Sequence, residues 1–178
     1  MLTEIIKKSK LIAAGTPPHD YLAKLGLSPP PRGMKWLESH ECYQRASNGE
    51  MLLMGKYPAI ICPLRNIGSD EIVGLHTIHI LPDRTTMRSD DKGGYIALCD
   101  CTDTLTITQS VESALLHDGW VTMDLANFTP PEGVKNLLII PDSGFANKRS
   151  AYECATKLTA IKVNVFHCEG RNMFVDVG

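Results

Sequence analysis

Two segments of this chain combine residue types that can act on a phosphate or hold a metal ion. They are Thr108-Gln109-Ser110-Val111-Glu112-Ser113-Ala114-Leu115 and Ile140-Pro141-Asp142-Ser143-Gly144-Phe145-Ala146-Asn147. Each runs from an apolar stretch into a helical pattern. In open parallel sheets the reacting groups gather at such junctions, because the carboxyl ends of adjacent strands leave a crevice there. Glu112 and Asp142 supply carboxylate oxygens, the ligands that a hard dication such as magnesium takes. Gln109 and Ser110 open a helix, whose first amides attract phosphate, and Lys148 and Arg149 add positive charge beside the second mouth. Plainer readings stand beside these. Asp142 reads equally as a cap for the helix that starts near Ala146, and Lys148 and Arg149 as a solvated helix face.

Other candidates carry less. Cys99-x-Cys101 and His40-x-Cys42 pair possible ligands but lack the Cys-x-x-Cys spacing of structural zinc sites. His76 and His79 lie three apart in a strand pattern, which sends them to opposite faces and keeps them from sharing one ion. Tyr57, Trp36, Tyr43 and Tyr95 have faces on which bases can stack, although aromatics at 6% are needed mostly by the core. No Gly-x-x-x-x-Gly-Lys loop, Rossmann glycine fingerprint or Ser-His-Asp order occurs, which excludes P-loop hydrolysis. The net charge of −2 argues against tight charge-driven binding of nucleic acid, so any contact to a polyanion must be local.

The 178 residues, 43% apolar and 21% charged, suit a globular protein with a real core, and no apolar run is long enough to span a bilayer. The first residues lack the apolar block of a secretory signal, and six irregularly spaced cysteines read as free thiols. A cytoplasmic location is expected, with no membrane partner. Thr3 caps a predicted helix that ends at Gly15, and His19 to Leu25 forms a second one ended by Gly26. From Gly33 to Leu98 short β-rich runs follow: Lys35 to Leu37, Met51 to Met54, Ala59 to Leu64 and Glu71 to Leu81, the pattern of an antiparallel sheet. Pro82 to Gly94 is polar and reads as an exposed, mobile loop. From Leu105 strand and helix patterns alternate: Leu105 to Thr108, Val111 to Asp118, Val121 to Leu125, Leu137 to Pro141, Ala146 to Leu158 and Lys162 to Phe166. Strands alternating with helices imply a parallel sheet, and the run Leu137-Leu138-Ile139-Ile140 suits a strand covered on both faces. The expected architecture is an α+β lobe with an antiparallel sheet over residues 1–98, then a small α/β domain with a parallel sheet flanked by helices over residues 99–178.

In order, the two junctions resemble the Glu-Gly-hydrophobic-Glu-Thr-Ala-Leu and Asp-x-Asp-x-Ala-Gly motifs of the Toprim domain of phage and plasmid primases and primase-helicases. Tyr21-Leu22-Ala23-Lys24-Leu25-Gly26-Leu27, Tyr57 to Arg65 and Gly74-Leu75-His76-Thr77 resemble the segment that precedes that domain, so the similarity runs from about Tyr21 to Asp176. In the family the leading glutamate and the two aspartates hold magnesium for nucleotidyl transfer or strand cleavage. Here Gln109 stands at the leading glutamate, Ser110 at the glycine and Glu112 at the second glutamate. Asp142 keeps the first aspartate, while Gly144 replaces the second and Asn147 the glycine. In the terminal Gly170 to Asp176 stretch, Asp176 is the acid retained. An amide and a glycine remove two negative charges from the place where a dication would sit. The resemblance therefore implies a catalytically impaired Toprim-like protein of a phage, plasmid or related mobile element, linked to DNA replication. Glu112 and Asp142 are its residual catalytic candidates, and Glu112, Asp142 and Asp176 its candidates for a weak magnesium site; no other cofactor is expected. Gln109, Ser110, Asp142, Lys148 and Arg149 are the expected contacts to nucleic acid or to a replication protein. Two further readings stay open: residual metal-dependent primase or nucleotidyltransferase activity, and a protein-interaction module such as a host-defence inhibitor.

Overall fold

The computed structural model describes residues 2–27, 30, 33–66, 69, 71–83, 86–90, 93–167 and 173–176, with the backbone alone for 87–90, 167 and 173–176. The chain divides into two compact units, Met1–Leu64 with Gly74–Asp91, and Arg65–Val73 with Lys92–Gly178. Among the described residues no helix is long and apolar enough to cross a membrane.

The first unit opens with α1 (Leu2–Lys8), β1 (Lys10–Leu11) and α2 (Pro17–Lys24). The helix expected to run to Gly15 stops at Lys8, where Ser9 turns its hydroxyl onto the Ile6 carbonyl, and Lys10 and Leu11 pair instead with Trp36 and Lys35. Ile5 and Ile6 still pack inward, against Ala59, Ile61 and Leu75. In α2 the Thr16 hydroxyl accepts from the His19 amide, and prolines fill the first two positions, whose amides need no helical partner. Gly26, at φ 78°, supplies the left-handed residue just beyond its end. The antiparallel strands are β2 (Lys35–Arg45), β3 (Met51–Arg65), β4 (Ile72–Ile80) and β5 (Thr86–Asp90). β3 unites two runs that read as separate strands. Pro58 is tolerated inside it because the register shifts there, between the Leu37–Ala59 and His40–Tyr57 pairs, and a bulge can do without the missing N–H. β5 corrects the expectation of a loop over 82–94: Thr86 to Asp90 pair with Ile80 to His76, so alternation on a strand edge was hidden by charge. Arg84, Asp91 and Lys92 of that expected loop lie outside the described residues.

The second unit holds β6 (Tyr95–Ala97), β7 (Thr104–Thr108), α3 (Val111–Leu116), β8 (Trp120–Thr122), β9 (Asn136–Ile140), α4 (Phe145–Lys157), β10 (Lys162–His167) and β11 (Met173–Asp176). Strands β8, β7, β9 and β10 lie side by side and parallel, as the strand and helix alternation predicts. β6 joins β8 and β11 joins β10, both antiparallel and both too short or too mixed to be read from pattern alone. Within this unit Arg65 also pairs with Tyr95. The buried residues of α4, Ala151, Cys154 and Ala155, recur at helical spacing and cluster with Leu105, Ile107, Leu137, Ile139, Val163 and Val165. Each large aliphatic side chain in that layer contributes about 1.5–3 kcal/mol by leaving water. Leu138, on the alternate face of β9, is only half-buried, so coverage of the two faces is unequal. Tyr95 stacks on Trp120 with centroids 4.5 Å apart, and the indole N–H donates to the Cys99 carbonyl at 2.9 Å. Gly119 leaves no room for a side chain, since a Cβ there would meet the Thr106 carbonyl oxygen at 2.9 Å. That close approach lets α3 return into β8.

Candidate functional site: the paired strand ends of β7 and β9

β7 and β9 are neighbours in register, with Thr108 opposite Ile140, so the residues that follow both strands emerge at one edge of the second unit. Thr108 anchors the first turn from inside the core, its buried hydroxyl donating to the Ser110 carbonyl at 2.9 Å. Ser110 then caps α3: its Oγ accepts from the Ser113 amide at 3.4 Å and donates to Asp142 Oδ1 at 3.1 Å. Gln109 ties the two turns together. Its Oε1 accepts from the Asp142 amide at 3.3 Å, which turns its Nε2 toward Asn147 Oδ1 at 3.3 Å. Asn147 in turn donates through Nδ2 to the Ser143 carbonyl at 3.2 Å. Every amide in this chain of contacts has a single orientation consistent with its partners.

Three of the residues singled out in the sequence, Gln109, Ser110 and Asp142, are thus brought into direct contact. The arrangement is a neutral hydrogen-bond network around one carboxylate. Asp142 does not cap α4. Gly144 occupies the N-cap position at φ 123° with no side chain to offer, and the Asp142 carboxylate accepts from Ser110 instead. Glu112 sits half-buried in the first turn of α3. Asp176 lies elsewhere along the sheet. It pairs with Asn164 at the level of Leu138, four positions short of Asp142, or roughly 13 Å at strand rise. Among the described residues no three His, Cys, Asp or Glu side chains converge in a way that could hold a metal ion. Lys148 and Arg149 stand on the first turns of α4, where Arg149 Nε lies 2.7 Å from Glu153 Oε1 at the surface. With Phe145, 84% exposed, and Tyr152, they line a shallow depression along that helix. Sequence reasoning missed Phe145 and Tyr152, although their seven-residue spacing places them on one helical face.

The cysteine and histidine candidates resolve differently. Burial raises the pKa of both Cys99 and Cys101, with Asp118, Cys101 and Asp100 adding to the rise at Cys99, and each thiol donates to a carbonyl. His76 and His79 are both buried in the first unit. His79 meets His40: its Nε2 lies 3.0 Å from His40 Nδ1 and 3.0 Å from the Glu41 carbonyl. A carbonyl can only accept, so Nε2 carries the proton and His40 Nδ1 presents a lone pair to it. Desolvation by burial lowers the pKa of His40, against a raising effect of Glu41.

No protein-family model and no curated protein matches the chain. Solved structures do. A DNA primase domain from Pseudomonas aeruginosa matches with a TM-score of 0.56 at 11% identity, covering 96% of this chain and 71% of that one. The primase fragment of the bacteriophage T7 primase-helicase protein matches at 0.44 and 11% identity over 83% of this chain and 60% of its own. The Aquifex aeolicus primase, with its zinc-binding and RNA polymerase domains, gives 0.41 and 10% over 70% and 37%. At such identities the likeness is one of fold, and the first match carries it: this chain has a primase-like fold.

Proposed function

We propose that the chain is a primase-like protein with impaired metal chemistry that acts by binding nucleic acid at the strand ends of β7 and β9. The observation that carries this reading is the Gln109 amide. It bridges Asp142 and Asn147 in the place where the Toprim resemblance puts a metal-binding glutamate, so the turns are held together without an ion. Lys148 and Arg149 supply local charge for phosphate oxygens in a chain whose net charge is −2, and the second Nε2 proton of Gln109, beyond the one given to Asn147, adds a neutral donor. The exposed rings of Phe145 and Tyr152 along the same helix offer stacking surface for unpaired bases. Single-stranded nucleic acid is therefore the favoured ligand, through backbone and stacking contacts rather than groove readout.

Fluorescence anisotropy with labelled single-stranded and duplex oligonucleotides tests this. Single strands should bind in a salt-sensitive way that is indifferent to chelator. Phe145→Ala should weaken binding by the roughly 1–3 kcal/mol of a lost stacking contact, without changing the melting temperature. Absence of binding to either oligonucleotide at low salt removes the nucleic-acid reading and turns attention to a replication-protein partner. Primer extension that requires magnesium and is lost in Asp142→Ala would overturn the impaired chemistry.

A further inference from the structure

The hairpin of β2 and β3 exposes large apolar side chains where a solvent-facing ribbon would carry polar ones. Tyr43 is 42% exposed, and Met51, Leu52, Leu53 and Met54 are 59, 51, 54 and 46% exposed. The register explains part of this. Tyr43 pairs with Leu53 but Cys42 with Gly55, so Met54 is the extra residue of a bulge that twists the ribbon and turns consecutive side chains outward. Directly paired residues share a face, as do residues two apart. One face therefore holds Glu41, Tyr43 and Arg45 from β2 with Met51 and Leu53 from β3. Cys42, which points the other way, is buried, so this is the outward face.

That face has an apolar centre and a charged rim. At one end Glu41 lies 3.2 Å from Lys56, and at the other Arg45 donates to the Gly49 carbonyl, at 3.4 Å. Around the patch Glu41 and Glu50 balance Arg45 and Lys56. The charges do complement a reversed copy of themselves. In a twofold pair laid face to face and antiparallel, Leu53 and Tyr43 meet their own equivalents, and the Arg45 end of each ribbon lies over the Glu41 end of the other. A bulged strand is a poor template for extending a backbone ladder, which favours contact through side chains. A closed twofold contact of one patch with itself is also the commonest way soluble chains associate.

We propose that this face of the β2–β3 ribbon is a homodimer interface, occupied by a second copy of the chain. Sedimentation velocity of the full chain from low to high micromolar concentration should show a monomer–dimer equilibrium. Leu53→Glu, which places a charge at the centre of an exposed patch, should weaken the dimer by roughly thirtyfold or more. Arg45→Glu should weaken it by about tenfold, and Arg45→Glu combined with Glu41→Arg should restore it. Circular dichroism and thermal melting of each variant separate loss of association from loss of fold, and the charge pair answers the question even where Leu53→Glu is unstable. A chain that is monomeric at every concentration, a dimer indifferent to Leu53→Glu, or a failure of the double exchange to restore association in folded protein would overturn the proposal.

Discussion

At Gly144 the backbone adopts φ 123° and ψ 148°, a conformation that a residue with a side chain enters only under strain. An added Cβ there would meet nothing nearer than Asn147 Nδ2 at 3.9 Å, so the obstacle is the backbone and not crowding. An acid at this position, where the Toprim resemblance would place one, would have to adopt that strained turn. Gly144→Asp should lower stability by about 1–3 kcal/mol, read as a fall in the urea midpoint. It should give no gain in manganese affinity by calorimetry, because Gln109 still presents an amide. The identities of Gln109, Ser110 and Asp142 were legible in the sequence because they follow apolar strands and precede helical spacing. Their hydrogen bonds were not. Asp142 fits a helix cap as well as any other role on local pattern, and only its position beside Ser110 shows which partner it takes.

Elements fared according to how much of their signal is local. The order of segments from Leu105 to Phe166 was readable because β7 and β10 alternate apolar with polar residues, β9 is a continuous aliphatic run and α4 carries its small residues at helical spacing, but the strand expected over Val121–Leu125 lies at Trp120–Thr122 and Leu125 begins a 3-10 turn. β5 and β11 were not, since each depends on an edge made available by a strand it follows. The helix expected through Ile12 and Ala13 gave way to β1 because pairing with β2 competes with helix propagation over residues of modest propensity. β2 and β4 also bring together His40 and His79, 39 residues apart, in a contact that makes a prediction about pH. Desolvation holds the pKa of His40 below its ordinary 6.5, and a proton on Nδ1 would face the Nε2–H of His79. The unfolded chain then binds more protons than the folded one as pH falls through 6.5, so this contribution to stability is present above that value and lost below it. Melting temperatures measured from neutral to mildly acidic pH should decline, and the decline should be shallower in His40→Asn. An equal slope in both proteins would show that other groups control it.

For the molecule as a whole, a net charge of −2 limits how binding can work. If single strands are held through Lys148 and Arg149 with neutral donors, about two phosphates are neutralised, and the log–log dependence of affinity on salt should have a slope near −1.4. A much steeper slope would require basic groups outside this site. The match in fold to a primase domain spans nearly the whole chain at 11% identity, so the likeness lies in the architecture and not in the residues themselves. By itself the sequence determined the alternation of strands and helices, the helix start at Gln109 and Ser110, and which strand ends carry polar residues, because each of these follows from a few consecutive side chains; it did not show the cap at Thr16, and Thr3, read as a cap, lies inside α1. Only the tertiary structure decided the order of the strands, the closing of Gln109 onto Asp142 and Asn147, the displacement of Asp176 from the crevice, and the meeting of His40 with His79. Those outcomes depend on register between residues far apart in the chain, and a shift of one residue in that register would turn every side chain involved to the other face.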